Sequence, residues 1–125
     1  MKTRPSILIV DDEPAVLLTY QMILKQHGFG VTGARTTADA LEALRTASFD
    51  VIVCDLQLET PRGGFEIIAQ ARHQDPQVAA VLLTGYATDE AAEEARQKGI
   101  TLVFKPVDVQ EFLPLLERLA RRDVA

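Results

Sequence analysis

With one cysteine, Cys54, and two histidines, His27 and His73, this chain of 125 residues has little soft-ligand chemistry. A lone thiol cannot close an internal disulfide or build a multi-cysteine zinc site, and it suits a reducing compartment, so a cytoplasmic location is the expectation. The histidines are isolated, without metal-ligand spacing, and read as surface residues at helix ends. Long apolar runs are also missing. After the basic opening Met1-Lys2-Thr3-Arg4-Pro5, only four apolar residues follow Ser6 before Asp11 interrupts, too few for a signal peptide or membrane span. Nor is there an excess of positive charge. A net charge of −5, with acids and bases interspersed, argues against direct nucleic-acid binding by this segment. The chain has no internal repeats and no low-complexity stretch.

What remains is an ordinary globular composition, 47% hydrophobic and 25% charged, at a length that fits one domain over residues 1–125. Four apolar runs organise it: Ile7-Leu8-Ile9-Val10, Val51-Ile52-Val53-Cys54, Val81-Leu82-Leu83 and Leu102-Val103-Phe104. Helix-like stretches separate them, which predicts parallel strands joined by crossover helices, an α/β doubly wound sheet. Phe29 and Val31 suit a short strand at a sheet edge. Helix one follows Glu13-Pro14 and stops at Gly28, with Leu17, Tyr20 and Leu24 at helical spacing. Thr36 or Thr37 can cap a second helix facing inward with Leu41 and Leu44. Gly63-Gly64 precedes a third that carries Phe65, Ile68 and Ala69. Helix four, about Thr88 to Lys98, has only alanines on its apolar face, at 91, 92 and 95, and should therefore be held weakly, as a moving part. Helix five carries Val109, Phe112, Leu113, Leu116 and Leu119, but Pro114 inside it predicts a kink or a later start than Asp108. That long stripe leaves the chain a monomer or a weak homodimer. Residues 119–125 either end this helix or begin a linker to a further domain.

Each apolar run stops at a chemically distinct side chain: Asp11 and Asp12, Asp55, Thr84, and Lys105. In an open parallel sheet these stops share one rim, where such sheets place their sites. Adjacent carboxylates at Asp11 and Asp12 repel each other unless a cation offsets the charge, and Asp55 adds a further oxygen ligand. Hard oxygens favour magnesium or manganese over zinc. Taken singly, Asp12 could cap helix one, Asp11 could be a solvated loop acid, Thr84 could start a turn and Lys105 could be solvated. Taken jointly they describe phosphoryl transfer, with Asp55 as nucleophile and Lys105 and Thr84 on the phosphoryl oxygens.

Over essentially its whole length the chain resembles the receiver domain of two-component response regulators, on the segments Ile7 to Pro14, Asp55-Leu56, Leu83-Thr84-Gly85 and Lys105-Pro106. The resemblance implies a five-stranded sheet of order 2-1-3-4-5, as in the flavodoxin-like folds. It implies that Asp55 takes a phosphoryl group from the phosphohistidine of a sensor histidine kinase or phosphotransfer protein. Magnesium would be bound by Asp12, Asp55 and the backbone carbonyl of Gln57, with Asp11 acting through water. The Lys105-Pro106 peptide would be cis. The protein would be a switch rather than an enzyme, catalysing only its own phosphorylation and dephosphorylation, and would signal to a downstream output domain or protein through helix four, strand five and helix five.

The chain departs from that family in places. Leu102 stands where an inward-turning aromatic is common; Phe104, of the same strand parity, could share that role, with core packing the favoured expectation. The loop Glu59 to Gly64 is one residue longer than the common form. Two other readings stay open. A magnesium-dependent phosphohydrolase of the haloacid dehalogenase type would need an acid where Gln57 stands, and a receiver-like module could work by binding alone, without phosphorylation. Gly28-Phe29-Gly30-Val31-Thr32-Gly33 matches a dinucleotide fingerprint but leaves a helix and enters a strand, the reverse of the required order.

Overall fold

The computed structural model describes residues 4–121. Strands and helices alternate: β1 (Ser6–Val10), α1 (Pro14–Gln26), β2 (Gly30–Ala34), α2 (Thr37–Thr46), β3 (Val51–Asp55), α3 (Gly63–Gln74), β4 (Ala79–Thr84), α4 (Asp89–Gln97), β5 (Thr101–Phe104) and α5 (Val109–Ala120). All strand pairs are parallel, in the order β2-β1-β3-β4-β5. The most apolar runs form the interior strands β1, β3 and β4, which are covered on both faces, and the polar-interrupted β2 is an edge.

Alternation along the strands divides the core in two. Leu8, Val10, Ile52, Cys54 and Leu82 face α2, α3 and α4. Ile7, Ile9, Val51, Val53, Val81 and Leu83 face α1 and α5. Helix ends follow the local chemistry: Thr36, Thr88 and Asp108 each accept a backbone N–H of the helix they open. Gly28 and Gly99, at φ 91° and 66°, take the left-handed turns beyond α1 and α4.

Some expectations are corrected here. Asp12 does not cap α1: Glu13 is the N-cap, and Asp11 Oδ1 accepts the Glu13 N–H at 2.9 Å. On α3 Phe65 and Ile68 face inward as expected, joined by Ile67 and Ala71, while Ala69 is exposed on the flank of that stripe. Helix α5 does start later than Asp108, at Val109, but by too little to leave out Pro114, which lies inside it on the exposed side. Its apolar residues pack on the sheet, so the length of the stripe no longer argues for a dimer. Leu119 and Ala120 belong to α5; residues 122–125, where a linker would continue, lie outside the described residues. Phe104 is 56% exposed rather than in the core, whereas Leu102 is half-buried against the α2–α4 side. Among the residues of α4 only Ala95 is buried, as its alanine face implied.

Gly64 fixes the start of α3 against β3. A Cβ there would lie 2.4 Å from the Asp55 carbonyl oxygen and 2.6 Å from Leu82 Cδ2. Gly64→Ala is expected to cost about 1–3 kcal/mol by overpacking, read as a lower urea midpoint. Gly85→Ala, where a Cβ meets nothing within 4 Å, should stay within about 0.5 kcal/mol of the parent.

Candidate metal and phosphoryl site

Strand register decides which side chains meet. Val10 is level with Cys54, so Asp11 and Asp55 emerge side by side from β1 and β3. Asp55 is level with Leu83, placing Thr84 one step further out on β4, and the Lys105 N–H extends the ladder to the Thr84 carbonyl at 2.8 Å. Asp55 shares the parity of Val51 and Val53, towards α1 and α5. Thr84 shares the parity of Leu82, towards α4. The carboxylate and the hydroxyl thus start on opposite sides of the sheet edge.

Lys105 Nζ lies 2.9 Å from Asp55 Oδ1 and 3.5 Å from Asp11 Oδ2. Beyond that ammonium, neither buried oxygen accepts a hydrogen bond from the described residues. Carboxylate oxygens of Asp11, Asp12 and Asp55 all lie within 4.8 Å of one another, Asp11 and Asp55 buried and Asp12 exposed. The solvated-acid reading of Asp11 is therefore wrong, since the residue has no exposed surface. Two buried acids share the Lys105 ammonium, Asp12 adds a third carboxylate, and apart from that ammonium two buried oxygens accept no hydrogen bond from the described residues; the donor set fits a hard divalent cation open to solvent on the Asp12 side.

The protonation states respond to the same crowding. Burial, helped by the Asp11 carboxylate and opposed by Lys105, raises the Asp55 pKa to about 6. Burial would lower Lys105, but its two carboxylate neighbours outweigh this and raise it. The half-buried Tyr20 phenol of α1 is raised by burial, against the Lys105 charge.

Thr84 is buried, and its hydroxyl is engaged locally: Oγ1 donates to the Tyr86 carbonyl at 2.6 Å and accepts the Tyr86 N–H at 3.2 Å. The plain turn-starting role weighed for this threonine is thus one it plays. Gln57 lies exposed two residues beyond Asp55 in the loop to α3, and Tyr86 is also exposed. The Lys105–Pro106 peptide is cis.

Other charged residues here gave no sequence signal. Glu59 accepts the Thr37 N–H at the start of α2 at 2.9 and 3.2 Å. Arg62, the N-cap residue of α3, makes a two-toothed ion pair with Glu94 of α4 at 3.1 and 2.7 Å. Both partners are far apart in sequence, and neither falls in a motif.

A family model described as the response regulator receiver domain matches residues 7–117. A response regulator receiver protein of Anaeromyxobacter sp. (strain Fw109-5) is 37% identical over 109 residues, covering 86% of this chain and 45% of that protein. The alginate biosynthesis transcriptional regulatory protein AlgB of Pseudomonas putida is 36% identical over 93 residues, covering 74% of this chain and 20% of AlgB. The chain thus spans less than half the length of these two relatives. Among solved structures, a CheY-like receiver domain protein from Methanospirillum hungatei JF-1 superposes with a TM-score of 0.87 at 28% identity, covering 97% of this chain and 98% of that one.

The raised pKa of Asp55 sets a pH dependence for the cation-free protein. The folded-state value of about 6 lies above the ~3.9 of an unfolded aspartate, so the native state holds the proton more tightly. Stability should fall as pH rises from about 4 to about 6 and level off above. Urea midpoints across that window should show the decline in the parent and a flatter profile in Asp55→Asn. Magnesium near neutral pH should raise the parent's midpoint more than the variant's.

Proposed function

Because the chain belongs to the response regulator receiver domain family, we propose that it is a phosphoacceptor switch of a two-component phosphorelay, with Asp55 as the acceptor. The observation that carries this reading is the meeting of Asp55, Asp11 and Lys105 at one rim, two buried carboxylates bridged by one ammonium. A carboxylate oxygen of Asp55 attacks the phosphorus of a phosphohistidine on a sensor histidine kinase or phosphotransfer protein. The P–N bond breaks, its electron pair stays on the imidazole, which takes up a proton, and an aspartyl phosphate results.

Asp12, Asp55 and the Gln57 carbonyl, with Asp11 acting through water, would hold magnesium or manganese, which supplies positive charge against the repulsion between carboxylate and phosphoryl oxygens. Lys105, already beside Asp55, follows the charge onto the phosphoryl group without leaving its place. Thr84 has further to go. Its hydroxyl reaches a phosphoryl oxygen only by releasing the Tyr86 carbonyl, which loosens the turn leading into α4. A charge of about −1.5 to −2 placed at Asp55 therefore biases α4, β5 and α5 between two arrangements that a downstream output domain or protein reads. With Leu102 half-buried and Phe104 already outside, an aromatic turning inward at position 102 has no part in this switch. The protein acts on its own acceptor rather than on an external substrate, and its setting is the cytoplasm.

Incubation with a small phosphodonor and magnesium should label the parent at Asp55 and leave Asp55→Asn unlabelled, read by intact-protein mass and peptide mapping. Lys105→Ala should slow labelling on the order of 10²-fold. Persistent labelling of Asp55→Asn would move the acceptor elsewhere, and fast turnover of an external phosphate ester would favour a phosphohydrolase instead.

A further inference from the structure

Helix α4 buries only Ala95, yet it is tied to the loop that leaves Asp55 by charge. Arg62 at the end of that loop grips Glu94 with both guanidinium nitrogens, and Lys98 Nζ closes on the same carboxylate at 2.6 Å. Arg62 and Lys98 also lie over the Phe65 ring, 4.8 and 5.2 Å from its centroid. The loop itself has little freedom. Glu59 fastens it to the first turn of α2, and the Gly64 N–H returns to the Leu56 carbonyl at 3.2 Å. Leu58 and Gly63 N–H groups both close on the Thr60 carbonyl, at 3.1 and 3.2 Å. A loop compacted within and pinned at its α2 end transmits a displacement at Asp55 to whatever its other end holds, and that end holds α4.

We propose that the Arg62–Glu94 pair is a latch that holds α4 in its unphosphorylated arrangement and ties that arrangement to the loop after the acceptor. The switching role rests on Asp55 being the phosphoacceptor; the tethering role does not. Because the pair joins elements that share little apolar contact, opening it frees α4 without dismantling the core. If the latch exists only in the resting arrangement, its removal also tightens binding of a phosphoryl mimic by the same factor, since coupling between two sites is reciprocal.

Hydrogen exchange of the cation-free protein tests the tether. Arg62→Ala and Glu94→Gln should speed exchange of the α4 amides by about 2- to 5-fold, the range of an exposed ion pair, with β1 and β3 amides at the parent rate. The double variant should be no faster than Glu94→Gln alone, which already loses the Arg62 contact. Lys98→Ala, which keeps the Arg62 contact, should retain slow exchange relative to Arg62→Ala. Parent-like α4 exchange in Arg62→Ala, or an equal rise throughout the domain, overturns the latch. Titration with beryllofluoride and magnesium, followed by backbone shifts in α4, tests the switching role. The midpoint for Arg62→Ala should fall by the same factor, and an unchanged midpoint overturns that role. A parent that binds no beryllofluoride overturns the acceptor reading, and the switching role with it, while the exchange data still decide the tether.

Discussion

The arrangement of this domain turns on a charge imbalance at the end of the sheet. Asp11 and Asp55 are buried, their oxygens share a single ammonium, and Asp12 adds a third carboxylate nearby. Burying a carboxylate is costly unless it is paired and hydrogen-bonded, and here the pairing is incomplete. The rim is therefore a place where the fold gives up stability to keep two buried carboxylates beside a third. The apolar interior strands make this tolerable, since β1, β3 and β4 are covered on both faces and fix where the acids emerge.

Much of this was legible in the sequence, for a definite reason. An apolar run that ends abruptly in a polar side chain marks both a buried strand and its rim, so Asp11, Asp55, Thr84 and Lys105 announced their place at the strand ends. The weak hold on α4 was legible too, because a face made of alanine has little area to bury. The five-strand order was not readable from pattern; it came with the family resemblance.

Other features were hidden because they depend on neighbours remote along the chain. Phe104 has the composition of a core residue, but β5 is an edge strand and α4 covers it thinly, so the ring faces solvent. Asp12 looked like a helix cap, yet the Asp11 side chain reaches the Glu13 N–H first and leaves Asp12 at the surface. Arg62 and Glu94 are two ordinary charges until the fold sets the α3 start beside α4. Periodicity reports which face a residue is on; it does not report what stands opposite.

The parity of the strand ends divides the site between two helix layers. Asp55 emerges with the residues that look towards α1 and α5, while Thr84 emerges with those that look towards α4. Anything that touches both side chains must therefore straddle the edge of a single sheet, one strand spacing across.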